Sequence, residues 1–516
     1  MKTLITFVTK FFSLIVSTLS CFDRVLFKGY LPFRSAPQLE AFIDHVLKIK
    51  RTDFLKFAQK QSERLVTHAK RLASAEAAPY RFLKGKQRKD DLAHRIALDR
   101  GLLEGLVCVF CCIETCPSFK LVYGDKRPRF VSEPRPQRVL YFYYLDPDFG
   151  LIHLRLPTWF PFTLQVYVNG HEWLARQMLQ QQLGFVQKDN AFTQLDDPQK
   201  AQKLADRFAH LPWRKLLNRF ARRINPLLRE PWLRQPGYYW VIDQAEYATD
   251  VLFPSRQALA GLYPRLLDHA AVHFSAKDIL TFLGRKLHGN FLGEVLTDCK
   301  KERWPGARIK HRMKNNWLKM YDKFGLILRV ETVINNPREF KVRRWGIRNG
   351  RRQLVWAPMN KNVGNLCRYQ EVAAAANGRY LEALAVVDNP APAYRDMEEL
   401  TEAKEVRGRS HAGFNPARAE DVKLFGAVLE GNHLVRGFRN GDIREALYGK
   451  AKSGAERLRE SRAVSRMLKR LHVRGLIKKV PRTRRWEVTK KGRRLLGAAV
   501  QLYHHGIPRA VAQPPV

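Results

Sequence analysis

The segment from residue 139 to residue 168 most strongly constrains the fold of this chain. The apolar run Val139–Tyr144 ends just before Asp146-Pro147-Asp148-Phe149-Gly150, a composition typical of a tight turn. After that turn, Ile152, Leu154 and Leu156 alternate with His153 and Arg155, which predicts a strand with one apolar and one basic face. The segment therefore predicts an antiparallel β-hairpin.

The residues after this hairpin are predicted to form one more strand and then a series of helices. Thr163–Val168 is a further strand candidate, and Asn169 is suited to cap a helix over 171–183. Helical patterns then cover 195–235, and Ser275 with Asp278 forms a predicted capping box. Because strands and helices occur in separate runs, we predict an α+β fold, with a mixed helical and antiparallel-sheet body, rather than regular βαβ repeats.

The charge of the chain restricts its partners. The 516 residues include 92 Lys and Arg against 48 Asp and Glu, a formal net charge of +44, while 45% of the residues are hydrophobic. Such a chain can bury a large core, which excludes a disordered basic tail protein. The surplus of positive charge favours an anionic partner, nucleic acid first and acidic membrane second, over small neutral metabolites. Seven cysteines, an odd and small number, favour a reducing compartment.

The first thirty residues have two interpretations. The stretch from Met1 to Cys21 resembles a signal peptide in overall composition, but its apolar residues form one helical stripe from Leu4 to Phe22. We therefore expect an amphipathic helix packed on a core, followed by a strand over 22–30. Since no segment reaches the roughly 18 apolar residues that a membrane span needs, we expect a cytoplasmic protein with no membrane partner.

Patterning along the chain predicts five regions. These are a mainly helical N-terminal region (1–130), an α+β core (131–387), a linker (388–415), a separate small domain (416–500) and a tail (501–516). Within the core, 307–345 is predicted to form a basic antiparallel meander with strands at 307–312, 317–323, 326–334 and 340–344, followed by a helix over 363–387.

The small C-terminal domain contains three predicted helices and a basic two-stranded ribbon. The helices cover 416–429, start again at Asn440 or Asp442, and cover 461–474, where Gly475 ends the third. The motifs are Ser465-x-x-Leu468-Lys469-x-Leu471, Gly475-Leu476-Ile477 and Trp486-x-Val488-Thr489-x-x-Gly492. In combination they resemble the winged helix-turn-helix family.

That resemblance implies a recognition helix in the major groove and a wing on the backbone. The residues it assigns to the recognition helix are Arg462, Arg466, Lys469, Arg470 and Arg474, and those on the wing are Arg482, Arg484 and Arg485. Winged helices also serve as protein-binding modules, so an acidic protein is the alternative partner.

The meander is rich in basic residues and poor in acids. Its basic side chains are further nucleic-acid-binding candidates: Arg308, Lys310, Arg312, Lys319, Lys323, Arg343 and Arg344. Strand alternation places Lys319, Tyr321 and Lys323 on one face, and Arg329 with Glu331 on one face.

The pattern Lys319-x-Tyr321-Asp322-Lys323 followed by Arg329-x-Glu331 resembles the core hairpin of rolling-circle replication initiators. The resemblance implies Tyr321 as the nucleophile on a DNA phosphate, with Glu331 and Asp322 binding a divalent metal. The histidine-hydrophobe-histidine motif of the commoner initiators is absent, and His311 stands alone.

A rival carboxylate set lies just after the aromatic run at 238–240. Asp243, Glu246 and Asp250 are spaced by three and four residues, which would place them on one helical face. With Glu331 they could bind Mg²⁺ or Mn²⁺ in a nuclease or recombinase site. The alternative is that these acids pair with nearby arginines.

Other motifs exclude some chemistry. Cys108, Cys111, Cys112 and Cys116 lie close together in an apolar run, which favours buried small side chains over a zinc site. No Walker or dinucleotide fingerprint is present, so no nucleotide cofactor is indicated.

Motifs across the chain resemble a group of bacterial proteins of about this length whose activity is not established. They include Phe22–Gly29, Thr158–Phe162, Glu172–Met178 and Arg308–Arg312. The resemblance implies a bacterial mobile-element context. We therefore predict a nucleic-acid-binding protein similar to a replication initiator or transposase, with metal-dependent nicking and joining of DNA as its expected activity. The alternative is a non-enzymatic DNA-binding regulator or a partner of a structured RNA.

Overall fold

The structure is a computed structural model of the full chain. It describes residues 5–85, 87–123, 127–234, 237–285, 294–300, 307–387, 393–406, 408–430, 433, 437–451, 453–481 and 483–506.

The helices are numbered in chain order. They are α1 (Ile5–Lys10), α2 (Ala36–Phe42), α3 (Phe54–Ala75), α4 (Lys89–Asp99), α5 (Gly170–Gln180), α6 (Pro198–Arg207), α7 (Trp213–Ile224), α8 (Pro231–Arg234), α9 (Arg256–His273), α10 (Ala276–Phe282), α11 (Leu366–Leu384), α12 (Ala393–Thr401), α13 (Ala419–Leu429), α14 (Asn440–Tyr448), α15 (Gly454–Val473) and α16 (Lys490–Gln501).

The strands are numbered in the same way. They are β1 (Ser17–Tyr30), β2 (Tyr80–Phe82), β3 (Gly105–Cys116), β4 (Phe119–Val122), β5 (Arg129–Ser132), β6 (Arg135–Asp146), β7 (Gly150–Pro157), β8 (Leu164–Asn169), β9 (Phe185–Gln187), β10 (Phe192–Leu195), β11 (Tyr239–Leu252), β12 (Val295–Lys300), β13 (Arg308–Met313), β14 (Asn316–Lys323), β15 (Ile327–Ile334), β16 (Lys341–Arg348), β17 (Arg351–Pro358), β18 (Lys404–Val406), β19 (Arg409–His411), β20 (Ile477–Lys479) and β21 (Trp486–Val488).

The chain divides into two compact units. The first comprises Met1–Tyr263 and Lys300–Leu381, and the second comprises Pro264–Cys299 and Glu382–Val516. The large sheet and the helices around it confirm the predicted α+β class.

The central sheet of the first unit is antiparallel except at one edge. Its strands lie in the order β13-β14-β15-β11-β1-β8-β7-β6-β3-β2, and only β2 with β3 is a parallel pair. The predicted hairpin over 139–156 is present as β6 and β7, with Asp146 opposite Gly150 at the turn. Asn169 caps α5 as predicted, since its side chain accepts from the backbone N–H groups of His171 and Glu172.

The N-terminal segment is more β-rich than predicted. The predicted helix over 4–22 ends at Lys10, and β1 begins at Ser17 rather than at Phe22. From there to Tyr30 the strand pairs with β11 on one side, and from Arg24 to Gly29 also with β8 on the other. Residues 17–22 belong to this strand despite their helical pattern of apolar residues, because a strand in the middle of a sheet hydrogen-bonds on both sides and buries both of its faces. Residues 1–130 therefore supply central and edge strands as well as helices.

The two faces of this sheet differ in chemistry. On one face, Phe22 packs against Phe208 and Tyr247, and Phe27 lies 4.7 Å from the Trp213 ring, so that α6 and α7 cover an apolar core. The opposite face carries polar and charged side chains from three strands: Glu246 and Asp250 of β11, Lys319 and Tyr321 of β14, and Arg329 and Glu331 of β15. This polar face holds the candidate site.

The meander differs from the prediction at its last strand. Strands β13, β14 and β15 form the expected antiparallel array, and the Phe324-Gly325 turn has positive φ at both residues. The fourth strand, β16, instead pairs with β17 in a separate two-stranded sheet.

The second unit contains more of the chain than residues 416–500. The predicted linker includes α12 and the β18–β19 hairpin, and Leu400 and Phe414 are buried with Leu424 and Leu468 in one core. Leu400 and Phe414, which lie in the predicted linker, thus belong to this core. The third predicted helix is longer than expected and begins at Gly454.

No helix among the described residues is both long and apolar enough to cross a membrane.

Candidate metal and nucleophile site

Three carboxylates from neighbouring strands meet on the polar face of the sheet. Asp23 lies on β1, Glu246 on β11 and Glu331 on β15, and these strands are adjacent. Each offers one oxygen, and these oxygens lie within 4.8 Å of one another. All three side chains are buried. This group could hold a metal ion, since clustered carboxylate oxygens are the ligands that hard divalent cations prefer.

A β-bulge brings Asp23 into the group. Phe22 faces Tyr247 and Val25 faces Ala245, so the two residues between them, Asp23 and Arg24, lie opposite the single residue Glu246. Two residues against one define a bulge, a feature that redirects side chains near functional sites. In this way Phe22 and Val25 both stay in the apolar core while Asp23 points to the polar face.

Lys319 and Tyr321 on β14 contact the group from the next strand. The Lys319 Nζ atom lies 2.6 Å from Glu331 Oε1 and 3.8 Å from Glu246 Oε2. The Tyr321 hydroxyl donates a 2.7 Å hydrogen bond to Glu331 Oε2. The register confirms the predicted alternation, because Lys319 pairs with Glu331 and Tyr321 pairs with Arg329 on one face.

Burial dominates the electrostatics of the group. Burial, together with the neighbouring charge of Glu331, raises the pKa of Glu246 to about 7. Burial and Glu331 also raise the pKa of Tyr321 well above its usual range. The tyrosine is therefore a protonated hydroxyl with a proton acceptor at hydrogen-bond distance.

Asp250 is held in an ion pair beside the group. Both of its oxygens accept from the Arg329 guanidinium, at 2.6 Å and 2.7 Å, and both residues are buried. The same guanidinium donates to the Asn190 carbonyl at 2.7 Å. Asp250 therefore fits the alternative interpretation, an acid paired with an arginine, rather than the predicted metal ligand.

His171 and Asn190 hold Asp23 in place. His171 Nδ1 lies 3.2 Å from Asp23 Oδ1, and the Asn190 side-chain amide donates to the same oxygen at 2.7 Å. Burial alone would raise the pKa of Asp23, but His171 and Arg329 beside it lower that pKa below its usual range. Asp23 is thus kept ionised.

Besides Asp250, two more of the predicted acids lie outside the group. Residues 239–252 form strand β11 and not a helix. Asp243 lies at a register break in that strand, 3.4 Å from Lys28 and 3.6 Å from Lys361. Asp322 accepts a hydrogen bond from the Gly325 N–H at the β14–β15 turn. Asp243 and Asp322 therefore have other partners and are not among the carboxylates that meet in the group.

Asp23 and His171 are the site residues that the sequence analysis missed. Asp23 is one of few acids in an apolar strand, which is a usable signal, but only the bulge brings it to Glu246. His171 lies just after a predicted helix cap and carries no signal of its own.

Strands β13 and β14 carry basic and aromatic side chains beside the carboxylate group. Arg308, Lys310 and Arg312 lie opposite Tyr321, Lys319 and Trp317 in register. The Lys310 ammonium lies 3.7 Å from the centroid of the Trp317 ring. Lys323 is buried and lies 3.4 Å from Asp189. Arg343 and Arg344 are exposed on β16, in the separate hairpin.

The predicted basic residues of α15 fall into two groups. Arg462, Arg466 and Lys469 are exposed on the helix. Arg474 is buried and donates to the backbone carbonyls of Glu402 and His411, at 2.7 Å and 2.9 Å.

Arg470 resembles Arg474 and not the exposed group. It donates to the Ala412 and Gly413 carbonyls, and its guanidinium lies 4.0 Å from the Phe414 ring centroid. Arg470 and Arg474 therefore hold the 402–414 segment rather than an external ligand.

On the predicted wing, Arg484 is exposed and Arg485 donates to the Gly437 carbonyl at 3.1 Å. Arg482 lies outside the described residues.

The four clustered cysteines are buried on β3. Burial raises the pKa of Cys108 and of Cys112 to about 12, so these side chains are neutral thiols in an apolar setting.

Comparison of the chain with protein-family models, with curated proteins and with solved structures finds no match. The carboxylate group and the side chains that contact it are therefore the main guide to the function of this protein.

Proposed function

We propose that this protein is a nucleic-acid strand-nicking or strand-joining enzyme with Tyr321 as its nucleophile. The observation that carries the proposal is the 2.7 Å hydrogen bond from the Tyr321 hydroxyl to Glu331, a member of the carboxylate group. A hydroxyl beside a buried base and a potential metal site is the constellation that phosphoryl transfer requires. The mobile-element role, similar to that of a replication initiator or transposase, rests on the sequence resemblances.

Asp23, Glu246 and Glu331 would hold the ion. All three residues offer carboxylate oxygens, the ligands that suit Mg²⁺ or Mn²⁺ rather than a soft metal that prefers thiolates. The close approach of Glu246 to Glu331 supports the fit, since the charge of Glu331 adds to the effect of burial in raising the pKa of Glu246, and a cation would relieve that repulsion. The ion would supply positive charge to the oxygens of a bound phosphate.

The side chains of this site would divide the chemical step between them. The Tyr321 oxygen forms a bond to phosphorus as its proton passes to Glu331 Oε2, and the bond from phosphorus to the leaving sugar oxygen breaks. The sugar oxygen takes a proton from water, so the strand ends as a phosphotyrosine ester and a free hydroxyl. Lys319, 2.6 Å from Glu331, would balance the charge of the carboxylates.

Nucleic acid is the substrate class that the charge favours. The net charge of +44 and the basic border of Arg308, Lys310 and Arg312 beside the carboxylates support a polyanionic substrate. The exposed Arg462, Arg466 and Lys469 on α15 support a second contact. From Ala419 to Gln501 the described elements of the second unit follow the order helix, helix, helix, two-stranded ribbon, helix, which supports the assignment of this part as a winged helix.

A specific observation favours a second, non-enzymatic function. The buried acids already have cationic partners, because Arg329 pairs with Asp250 and Lys319 pairs with Glu331. In that case the network is structural, and the protein is a DNA-binding regulator or a partner of a structured RNA.

Incubation of the full-length protein with Mg²⁺ or Mn²⁺ and end-labelled nucleic acid distinguishes these functions. Single-stranded DNA, duplex DNA and a structured RNA serve as substrates, and denaturing gels detect a covalent protein–strand adduct. We expect an adduct that is lost in Tyr321→Phe and kept in the control Tyr239→Phe, whose ring is exposed outside the carboxylate group. Tight, salt-sensitive binding with no strand change in either metal would reject the enzyme and favour the second function.

A further inference from the structure

The β16–β17 hairpin, residues 341–358, projects from the first unit as a nearly isolated ribbon. Its base is held in the core, where Phe340, Val342 and Met359 are buried and the Met359 N–H donates to the Phe340 carbonyl at 2.8 Å. Beyond this base every residue from Arg343 to Leu354 except Gly346 is exposed. Eight residues per strand give a projection roughly 25 Å long.

One face of this hairpin carries large apolar side chains in water. The cross-strand pairs on that face are Arg343 with Trp356, Trp345 with Leu354 and Ile347 with Arg352. Trp345 is 57% exposed, Trp356 67% and Ile347 81%. Large apolar side chains that are exposed together on a protein surface mark a site where a partner binds.

The charge of the hairpin identifies the chemistry of that partner. Its 18 residues contain Lys341 and five arginines and no acid. This charge repels a second copy of the hairpin and attracts a polyanion. Arg344, Arg348 and Arg351 lie on the face opposite the tryptophans, where Arg348 pairs with Arg351 across the two strands.

The arrangement of the rings favours unpaired bases over a duplex. Trp345 and Trp356 are diagonal neighbours across the two strands, so the two residues are about 7–8 Å apart, far enough for successive unstacked bases to lie on separate rings. The Arg352 guanidinium lies 5.5 Å from the Trp345 ring centroid, where it can meet the adjoining phosphate. Flat rings beside arginines suit stacking on a single strand, and base edges inside a duplex are not available to them.

We propose that the 341–358 hairpin is a binding site for an unpaired nucleic-acid strand, with Trp345 and Trp356 as stacking platforms. The site shares no residue with the carboxylate group or with α15. It deepens the proposed function by giving the strand a place to be held, but it requires neither Tyr321 nor a metal ion.

Fluorescence anisotropy in EDTA, with the full-length protein and a labelled 20-nucleotide strand, tests this site. The same sequence is presented as single-stranded DNA, as single-stranded RNA and as a DNA duplex. We expect Trp345→Ala with Trp356→Ala to weaken single-strand binding at least about tenfold, and duplex binding far less. The Trp345→Phe, Trp356→Phe protein keeps two rings and should recover most of the affinity.

The controls separate this inference from the enzyme proposal and from misfolding. Anisotropy in EDTA measures binding alone, so the loss in the alanine variant is expected even if no covalent adduct ever forms. Thermal melting of the alanine and phenylalanine variants should match the wild type, since the rings are exposed. Unchanged single-strand binding in the double alanine variant, or an equal loss on strand and duplex, would overturn the proposal. The DNA and RNA arms show which kind of strand is preferred.

Discussion

Gly170, the first residue of α5, packs directly against the Phe22 carbonyl oxygen, so that a Cβ atom at this position would overlap it. Phe22 is the last residue before the bulge that carries Asp23. The absence of a side chain at Gly170 therefore allows the helix to approach the strand at the point where the carboxylate group is built.

Replacing Gly170 by alanine should therefore destabilise the protein and disturb the site. We expect a loss of about 1–3 kcal/mol in the free energy of unfolding, because the overlap is with backbone and not with a flexible side chain. Gly426→Ala in α13 is the matched control, since nothing lies within 4 Å of its Cβ position. That substitution should be neutral or stabilising by up to about 1 kcal/mol. Denaturant unfolding of both variants measures the difference, and equal effects would show that the close approach is unimportant.

The metal site can be located by comparing two aspartates. Mn²⁺ should raise the melting temperature of the wild type by several degrees, because a ligand bound only to the folded state stabilises it. We expect this rise to disappear in Asp23→Asn and to persist in Asp243→Asn, since Asp243 pairs with Lys28 and Lys361 away from the carboxylate group. Thermal melts with Mn²⁺ and with EDTA give the metal-dependent difference for each variant, independently of its own baseline. A rise lost in Asp243→Asn and kept in Asp23→Asn would place the ion elsewhere.

These residues show how far the sequence predicts the site. Alternation along β14 and β15 correctly placed Lys319, Tyr321, Arg329 and Glu331 on common faces, because period-two patterns are local. Helical spacing grouped Asp243 with Glu246 and Asp250 incorrectly, since central strands lack the alternation that identifies them. Asp23 comes from a strand more than two hundred residues away, and no local pattern predicts a bulge.

The same limits apply to the fold. The β6–β7 hairpin, the Asn169 cap and the α10 capping box arise from short-range turn and cap chemistry, and the structure contains all three. The length of β1 and the burial of Leu400 and Phe414 depend on contacts between distant segments. Sequence patterns within one segment do not predict such contacts.

The buried Arg329–Asp250 pair should be costly to break. Arg329→Met leaves the buried Asp250 without its main cation and removes the more distant of the two cations beside Asp23, so we expect a loss of about 3–5 kcal/mol. Arg368→Met removes the partner of Glu371 in an exposed pair and should cost less than about 1 kcal/mol. Urea unfolding at pH 7 compares the two. A similar small loss in both would mean that the Arg329 network contributes little to stability.

The pH dependence of stability should include a contribution from His311. Burial lowers the pKa of this imidazole, which lies 3.0 Å from the Tyr380 hydroxyl, to about 4. The unfolded chain, with a histidine pKa near 6.5, binds the proton more tightly than the folded state does. The stability that His311 contributes is therefore complete above about pH 6.5 and is lost as the pH falls towards 4.

Comparing the wild type with His311→Gln isolates this contribution. Between pH 7.5 and 4.5 the wild type should lose about 2–3 kcal/mol more than the variant, measured by chemical unfolding at each pH. His210→Gln, at an exposed histidine, provides the control and should run parallel to the wild type. Parallel curves for His311→Gln would show that the buried imidazole is not protonated on unfolding.

The arginines of α15 should separate into binding and structural residues. Arg466→Ala with Lys469→Ala removes two exposed charges, so the slope of log affinity against log salt should fall by up to about two units without a change in stability. Arg474→Ala leaves the Glu402 and His411 carbonyls without their donor, and should cost at least about 1–3 kcal/mol of stability. Salt titrations of duplex binding and denaturant unfolding, run on both proteins, test the division. If Arg474→Ala lowered the salt dependence of binding and left the free energy of unfolding unchanged, this buried arginine would contact nucleic acid. The division into binding and structural arginines would then be wrong.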